Sequence, residues 1–275
     1  YNTDGELGNG TTTASTSPVQ VSGLNGVVSI SAGGYHALAV RFDGLVKAWG
    51  YNYYGQLGDG SYSSRNTPVT VSTVTDVSAI SGGWYFSVAR TFTGNVYTWG
   101  ANNYGQLGDG TLMGKNSPQK NATLSNISIA RAGGYHVLAL TSSGSLYGWG
   151  YNINGQVGDG TLVTRTTPVL IPTLSGVKYL SAGYTFSQAI KSDNTGAAWG
   201  ANAYGQLGDG TVVQRSTPVA IKTLTNLRRL SGGGYHALAI LSDNTKYGWG
   251  YNNAGQVGDG TKINRNSPVT VATLP

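Results

Sequence analysis

Cysteine is absent and histidine occurs only three times in 275 residues, so neither a disulfide framework nor a Cys/His zinc site can be built. Glutamate occurs once, at Glu6, and acids of both kinds number 11, which leaves paired catalytic carboxylates hard to assemble. No run of 18 apolar residues exists, which excludes a membrane-spanning helix. Charged residues make up 10% of the chain, against about 25% in ordinary soluble domains. The Ala/Leu/Glu/Lys-rich stretches that long helices need are missing as well. There is no initiator methionine and no targeting segment ahead of Tyr1, so the chain is expected to be a mature or trimmed product.

Glycine and aromatics are abundant instead, with 43 Gly, 18 Tyr and 6 Trp. Aromatic and β-branched residues at modest net charge argue for a folded chain despite the glycine. The net charge of +6 permits an acidic partner. The basic residues are dispersed, however, and Arg228-Arg229 is their strongest pair, so nucleic acid is not expected as a partner.

Self-similarity decides the fold. Trp-Gly recurs every fifty residues, at Trp49, Trp99, Trp149, Trp199 and Trp249. An Asn follows at 52, 102, 152, 202 and 252, with Asn2 in register, and then GQLGDG or GQVGDG, read as GELGNG in the first copy. A Pro follows at 18, 68, 118, 168, 218 and 268. Each unit reads as four short strands: 27–32, 36–40, 45–49 and a Pro-led strand such as 67–71, with Asp43-Gly44 as a hairpin turn. Four strands in about fifty residues is the size of a propeller blade.

The motif WGyNxxGQLGDGTxxxRxTPV…GGYHalA resembles the regulator of chromosome condensation repeat over residues 1–275. The resemblance implies an all-β propeller of the seven-bladed type, one domain with units 1–50, 51–100, 101–150, 151–200, 201–250 and a half-unit 251–275. The family includes a nucleotide exchange factor for a small nuclear GTPase and inhibitors of β-lactamases. Neither activity carries over residue by residue.

The aromatic step alternates between His36, His136, His236 and Phe86, Phe186. The loop that follows alternates in phase, beginning Tyr-Asn after the His type and Ala-Asn after the Phe type. Seven units of fifty fit this phase and would exceed the chain by 75 residues. The expectation is a chain that supplies about five and a half repeats of such a ring, the rest missing or replaced by self-association through the surplus strand. An intact-mass measurement separates the two.

The five repeated tryptophans are expected to pack between neighbouring blades. Asp59, Asp109, Asp159, Asp209 and Asp259 have the oxygen chemistry of a calcium loop, but one carboxylate per loop is too few. They are expected to cap the turn and to pair with the base six residues on: Arg65, Lys115, Arg165, Arg215 and Arg265. Asn9 and Ser15 replace acid and base together in the first copy. The histidines could be general bases, but they alternate with Phe, and no serine or aspartate stands at a recognisable offset from them. No catalytic residue, metal or cofactor is therefore expected. The informative positions are those that sheet packing does not dictate. Tyr53, Tyr54, Tyr62, Trp84, Tyr85, Tyr104 and Tyr204 form the candidate binding surface, because Tyr- and Asn-rich variable loops on a rigid scaffold suit recognition. The expected function is a non-enzymatic protein-binding scaffold, secreted or at a surface and bacterial, with a glycan-binding propeller or a structural subunit of a surface assembly as alternatives.

Overall fold

A computed structural model describes residues 1–272; the last three residues of the half-unit 251–275 lie outside the described residues. No helix occurs among the described residues. Twenty strands form five four-stranded sheets. The first holds β1 (Val27–Ala32), β2 (His36–Arg41), β3 (Val46–Gly50) and β4 (Arg65–Thr70). The second holds β5 (Val77–Gly82), β6 (Phe86–Thr91), β7 (Val96–Gly100) and β8 (Lys115–Lys120). The third is drawn from β9 (Ile127–Ala132), β10 (His136–Thr141), β11 (Leu146–Gly150) and β12 (Arg165–Leu170). The fourth holds β13 (Val177–Ala182), β14 (Phe186–Lys191), β15 (Gly196–Gly200) and β16 (Arg215–Ala220). The fifth holds β17 (Leu227–Gly232), β18 (His236–Leu241), β19 (Lys246–Gly250) and β20 (Arg265–Thr270).

The chain divides into two compact units, Tyr1–Tyr135 with Thr166–Pro168, and His136–Arg165 with the chain from Val169 onward. In the first unit β5 packs against β1 and β2, and β9 against β5 and β6. In the second unit β13 packs on β10, and β17 on β13 and β14. Packing on both faces explains the near-continuous apolar run HALAV in β2, where a one-sided sheet would alternate. Its effect is visible in β1: Ile30 is 74% exposed, whereas Ile80, fifty residues on and facing the first sheet, is 7% exposed.

The outer strand starts earlier than its proline suggests. Pro68 is the fourth residue of β4, not its opening residue. Proline is tolerated there because β4 is an edge strand, and pairing with β3 jumps from Gly50↔Arg65 to Ala48↔Val69. The first Pro-led segment, around Pro18, is not a strand at all, so five of the six proline segments are strands. Among the described residues no inner strand lies beside it to supply a ladder.

Where another sheet follows, the loop after Trp-Gly latches onto it. Gly60 N–H donates to Asn116 O at 3.0 Å, and Asn116 Nδ2 donates back to Gly60 O at 2.8 Å. Gly210 and Asn266 make the same exchange. The loop sits so close that a Cβ at Gly205 would fall 2.4 Å from Asn266 Cα, at a φ of +81°. Gly255 has almost the same φ, +80°, with nothing within 4 Å. Gly205→Ala and Gly255→Ala should therefore share a left-handed backbone penalty of about 1 kcal/mol. Only Gly205→Ala should lose a further ~1–3 kcal/mol for forced movement. Urea unfolding of the two variants measures the difference; equal losses would refute the latch.

Candidate functional site

Three structures built on these sheets carry polar or aromatic chemistry: the loop core, a buried relay between sheets, and an aromatic surface.

Asn52 organises the loop core. Its Oδ1 accepts from Leu57 N–H at 2.9 Å, and its Nδ2 donates to Ser61 O, Ser63 O and Asp59 Oδ1. Asp59 Oδ1 takes the Ser61 N–H and hydroxyl, at 2.9 and 2.7 Å. Its Oδ2 takes the Arg65 fork, with Nε at 3.0 Å and Nη2 at 2.9 Å. Asp159–Arg165, Asp209–Arg215 and Asp259–Arg265 repeat the ion pair. Burial alone would raise these carboxyls. Hydrogen bonds from the Ser or Thr two residues on, with the arginine, outweigh it and hold Asp59, Asp159, Asp209 and Asp259 below the usual carboxylate range.

The expected Asp109–Lys115 pair does not form, although Asp109 still accepts from Thr111 N–H and Oγ1. The four pairs that do form use arginine. The physical reason is the fork: the arginine donors lie part-way along the side chain, where lysine has only methylene. Lys115→Arg should restore the pair and raise stability by about 0.5–1 kcal/mol, read as a higher melting temperature. No change would mean that the pairing adds nothing to the loop.

A serine does stand opposite the histidines, contrary to the sequence reading. His36 Nε2 lies 2.8 Å from Ser87 Oγ, and His136 Nε2 lies 2.8 Å from Ser187 Oγ. Each partner is 51 residues away on the next sheet, an offset invisible to a local motif search. Each serine hydroxyl donates to a backbone oxygen, Gln56 O or Gln156 O, at 2.8 Å. The same oxygens accept the indole N–H of Trp99 and Trp199, at 2.9 and 3.0 Å. Because the serine proton points away, Nε2 of each histidine must carry its own proton, an assignment made from the network. Nδ1 of both rings is then a bare acceptor, buried and without a partner. Burial pushes His36 down to about 4 and His136 down to about 3, so both are neutral at pH 7. A buried histidine that already holds its proton toward the serine cannot activate that hydroxyl. The arrangement is a structural relay that ties His, Ser, loop and Trp across two sheets. Phe186, by contrast, shares an apolar cluster with Ala237 and Trp249. Trp49 and Trp249 also donate to the preceding loop, to Glu6 O and Gln206 O at 3.0 Å, and Trp149 is fully buried.

The aromatic surface of the first unit is a connected set of rings. Tyr35 and Tyr85 stack at 5.5 Å with 6° between planes. Tyr54 contacts Tyr85 at 5.0 Å and Tyr53 at 5.3 Å, and Trp84 meets Tyr35 edge to face at 5.8 Å. Tyr51 joins Tyr35, Tyr53, Tyr54 and Tyr85, and Tyr135 joins Tyr85 and Tyr104. The structure thus brings Tyr53, Tyr54, Trp84, Tyr85 and Tyr104 together. Tyr62 is exposed on a loop tip and makes no ring contact among the described residues. Tyr204 lies in the second unit, in its own group with Tyr184, Tyr235 and Tyr251. Charge on neighbouring Tyr85 is the main cause of a raised Tyr35 hydroxyl, while burial comes first for Tyr51 and Tyr235. These phenols stay neutral hydrogen-bonding groups throughout the physiological range. Sequence reasoning missed Tyr35, Tyr51, Tyr135 and Tyr235, although their recurrence was the signal: Tyr35, Tyr85, Tyr135 and Tyr235 share one fifty-residue register, and Tyr51, Tyr151 and Tyr251 recur every hundred.

The sequence pattern of the Regulator of chromosome condensation (RCC1) repeat matches residues 1–40, 43–90, 93–140, 143–190, 198–240 and 243–275. A second pattern for the same repeat matches 27–56, 77–106, 127–156 and 228–256. No curated protein matches the chain. Among solved structures it is similar to Prp20p from Saccharomyces cerevisiae, described with its binding properties to Gsp1p and histones. The TM-score is 0.79 at 22% identity, covering 90% of this chain and 63% of Prp20p. Human WBSCR16 gives 0.78 at 25% identity, covering 90% and 67%. Yeast RCC1 (Prp20) bound to Kap60 gives 0.74 at 18%, covering 90% and 75%. The chain therefore spans just under two thirds of the length of the first of these.

Proposed function

The chain belongs to the Regulator of chromosome condensation (RCC1) repeat family, with its all-β propeller fold, and on that premise we propose that it is a non-enzymatic scaffold that binds a protein partner through the tyrosine surface of its loops. The carrying observation is the ring set around Tyr85, in which Tyr35, Tyr51, Tyr54, Trp84 and Tyr135 all touch it. Tyrosine and tryptophan offer large contact area with little side-chain entropy to lose, which is why they dominate interface hot spots. Here the loop core and latch already fix the backbone beneath them, so ordering on binding costs less. The buried His–Ser relay supports a binding role, since it ties sheets together and offers substrate no reactive atom. Prp20p is described as binding Gsp1p, histones and Kap60, so protein partners suit this fold. The low charge and heavy Asn/Thr/Tyr usage fit a secreted or surface location.

A pull-down with the chain as bait, run beside a glycan array and a native-mass measurement, tests the reading. The expected result is one recovered protein, a silent array and no self-association. Glycan binding without a recovered protein would replace the reading with a lectin, and ordered self-assembly would replace it with a structural subunit.

A further inference from the structure

In the first unit an open cavity of roughly 520 Å³ lies between Tyr1, Glu6, Gly34, Tyr35 and Trp84. Its walls are three aromatic rings set nearly at right angles. Tyr1 meets Tyr35 at 6.2 Å and 71°, and Tyr35 meets Trp84 at 5.8 Å and 83°. The Trp84 indole lies over Gly34, where a Cβ would come within 3.0 Å of the ring.

Two of these residues break the repeat. Glu6 is the only glutamate and stands where other units have Gln56, Gln106, Gln156, Gln206 and Gln256. One oxygen does the shared structural work: Glu6 Oε2 accepts from Asp4 N–H at 3.0 Å, as Gln56 Oε1 accepts from Tyr54 N–H at 3.1 Å. The other atom differs in kind. Gln56 and Gln156 carry a buried amide NH2 there, likewise without a partner, whereas Glu6 places a carboxylate oxygen, Oε1, at that point. Trp84 stands where three other units have Gly34, Gly134 and Gly234. Sheet packing requires neither residue, because neighbouring units fold without them. What Glu6 and Trp84 add to the shared architecture is a carboxylate beside an indole at one cavity wall.

We propose that this pocket binds an organic cation bearing N–H groups, the guanidinium or ammonium head of a basic side chain. The ring faces attract the positive charge. The Glu6 carboxylate, which lines the cavity, supplies the acceptor for the N–H in a charge-assisted bond. A second aromatic pocket, lined by Tyr54, Tyr85, Tyr104, Tyr135 and Gln106, has about 130 Å³ and an amide in place of the carboxylate, so it lacks the charge that selects a cation. The inference rests on the protein-binding reading for the source of the cation, a basic residue of the partner. Its chemistry is testable without that partner.

The experiment titrates ¹⁵N-labelled protein with Nα-acetyl-arginine amide, Nα-acetyl-lysine amide and neutral Nα-acetyl-citrulline amide, following the Trp84 indole N–H resonance. The two cations should shift that resonance saturably, and citrulline amide should bind at least tenfold more weakly. The stronger of the two cations identifies which basic side chain the pocket prefers. Glu6→Gln and Trp84→Gly each install the residue other units use, so both should fold, with an unchanged melting temperature as the check. Glu6→Gln should weaken the cations at least tenfold and leave citrulline amide unaffected; Trp84→Gly should abolish binding of both. Equal binding of arginine and citrulline amides to the wild-type chain overturns the proposal without reference to any variant. Loss of the amides in Glu6→Gln while a recovered partner still binds would overturn the pocket as the partner's site and leave the protein-binding reading standing. Cation binding with no partner recovered would do the reverse.

Discussion

Between pH 7.5 and pH 4 the protein should lose on the order of 5 kcal/mol of folding stability, much of what a typical domain possesses. Burial takes His36 from its ordinary 6.5 down to about 4 and His136 down to about 3. A histidine whose folded value is depressed is neutral in the native state while its unfolded counterpart binds a proton. The unfolded chain therefore holds more protons below about 6.5, and stability rises with pH through this window. The contribution is complete above 6.5 and is lost as pH falls toward 4, at about 1.4 kcal/mol per unit for each ring. The network explains why the rings resist a second proton: it would sit on Nδ1, which has no acceptor nearby. The half-buried His236 is lowered by burial too and adds in the same direction. The loop carboxylates act in a separate, more acidic window. Asp59, Asp159 and Asp209 are depressed, so their contribution is full above the ordinary carboxylate value of 3.8 and disappears as pH drops below it. Urea midpoints at pH 7.5, 5.5 and 4 measure the first window. The double variant His36→Phe with Ser87→Ala converts this seam to the apolar chemistry of Phe186 and Ala237, and should remove about half of the loss. A stability flat from pH 7 to pH 5 would contradict the relay.

Trp99→Ala should cost about 3–5 kcal/mol, the usual range for an aromatic lost from a core. Its indole is fully buried in a cluster with Leu38, Leu57 and Ile80, and its N–H ties the sheet to the preceding loop at Gln56 O. Gly58 presses against the ring so closely that a Cβ there would lie 2.6 Å from Nε1, so the loop cannot easily collapse into the space left behind. Trp99→Phe should cost less, about 1–3 kcal/mol, because Gln56 O keeps the Ser87 hydroxyl as a donor. At roughly 2–4 °C per kcal/mol, the alanine variant should melt about 10 °C lower. Tyr62→Ala, on an exposed tip, should stay within about 0.5 kcal/mol of wild type. An alanine variant that melts like Tyr62→Ala would show that the indole does not join the repeats.

The features legible in the sequence are those written at a fixed spacing within one unit. The fifty-residue period, the four strands, the Trp ends and the Asp-to-Arg interval of six all lie within a short stretch of chain, so a repeat exposes them directly. The relay was hidden because His36 and Ser87 belong to different units. Its trace is a coupled alternation in which the residue after His is Ala37, Val137 or Ala237 and the residue after Phe is Ser87 or Ser187. Read one position at a time, the histidine column looks like packing; read as pairs across units, it specifies which seam is polar. The Lys115 exception was hidden because a tally of charge treats lysine as arginine, and the difference lies in donor position along the side chain. At the aromatic surface the variable loop tyrosines could be picked out by their irregularity. Tyr35, Tyr51 and Tyr135 were passed over because a recurring column reads as core, although here its rings line the surface that the variable tyrosines extend.

In the proposed function these tyrosines, held on a rigid repeat, make the contact with a protein partner. The most direct test is the affinity of the recovered partner for the wild-type chain and for Tyr54→Asn with Tyr85→Thr, residues that stand at the equivalent positions Asn154 and Thr185. The double variant should lose at least tenfold in affinity with its melting temperature preserved. Equal affinity for the two proteins would contradict it.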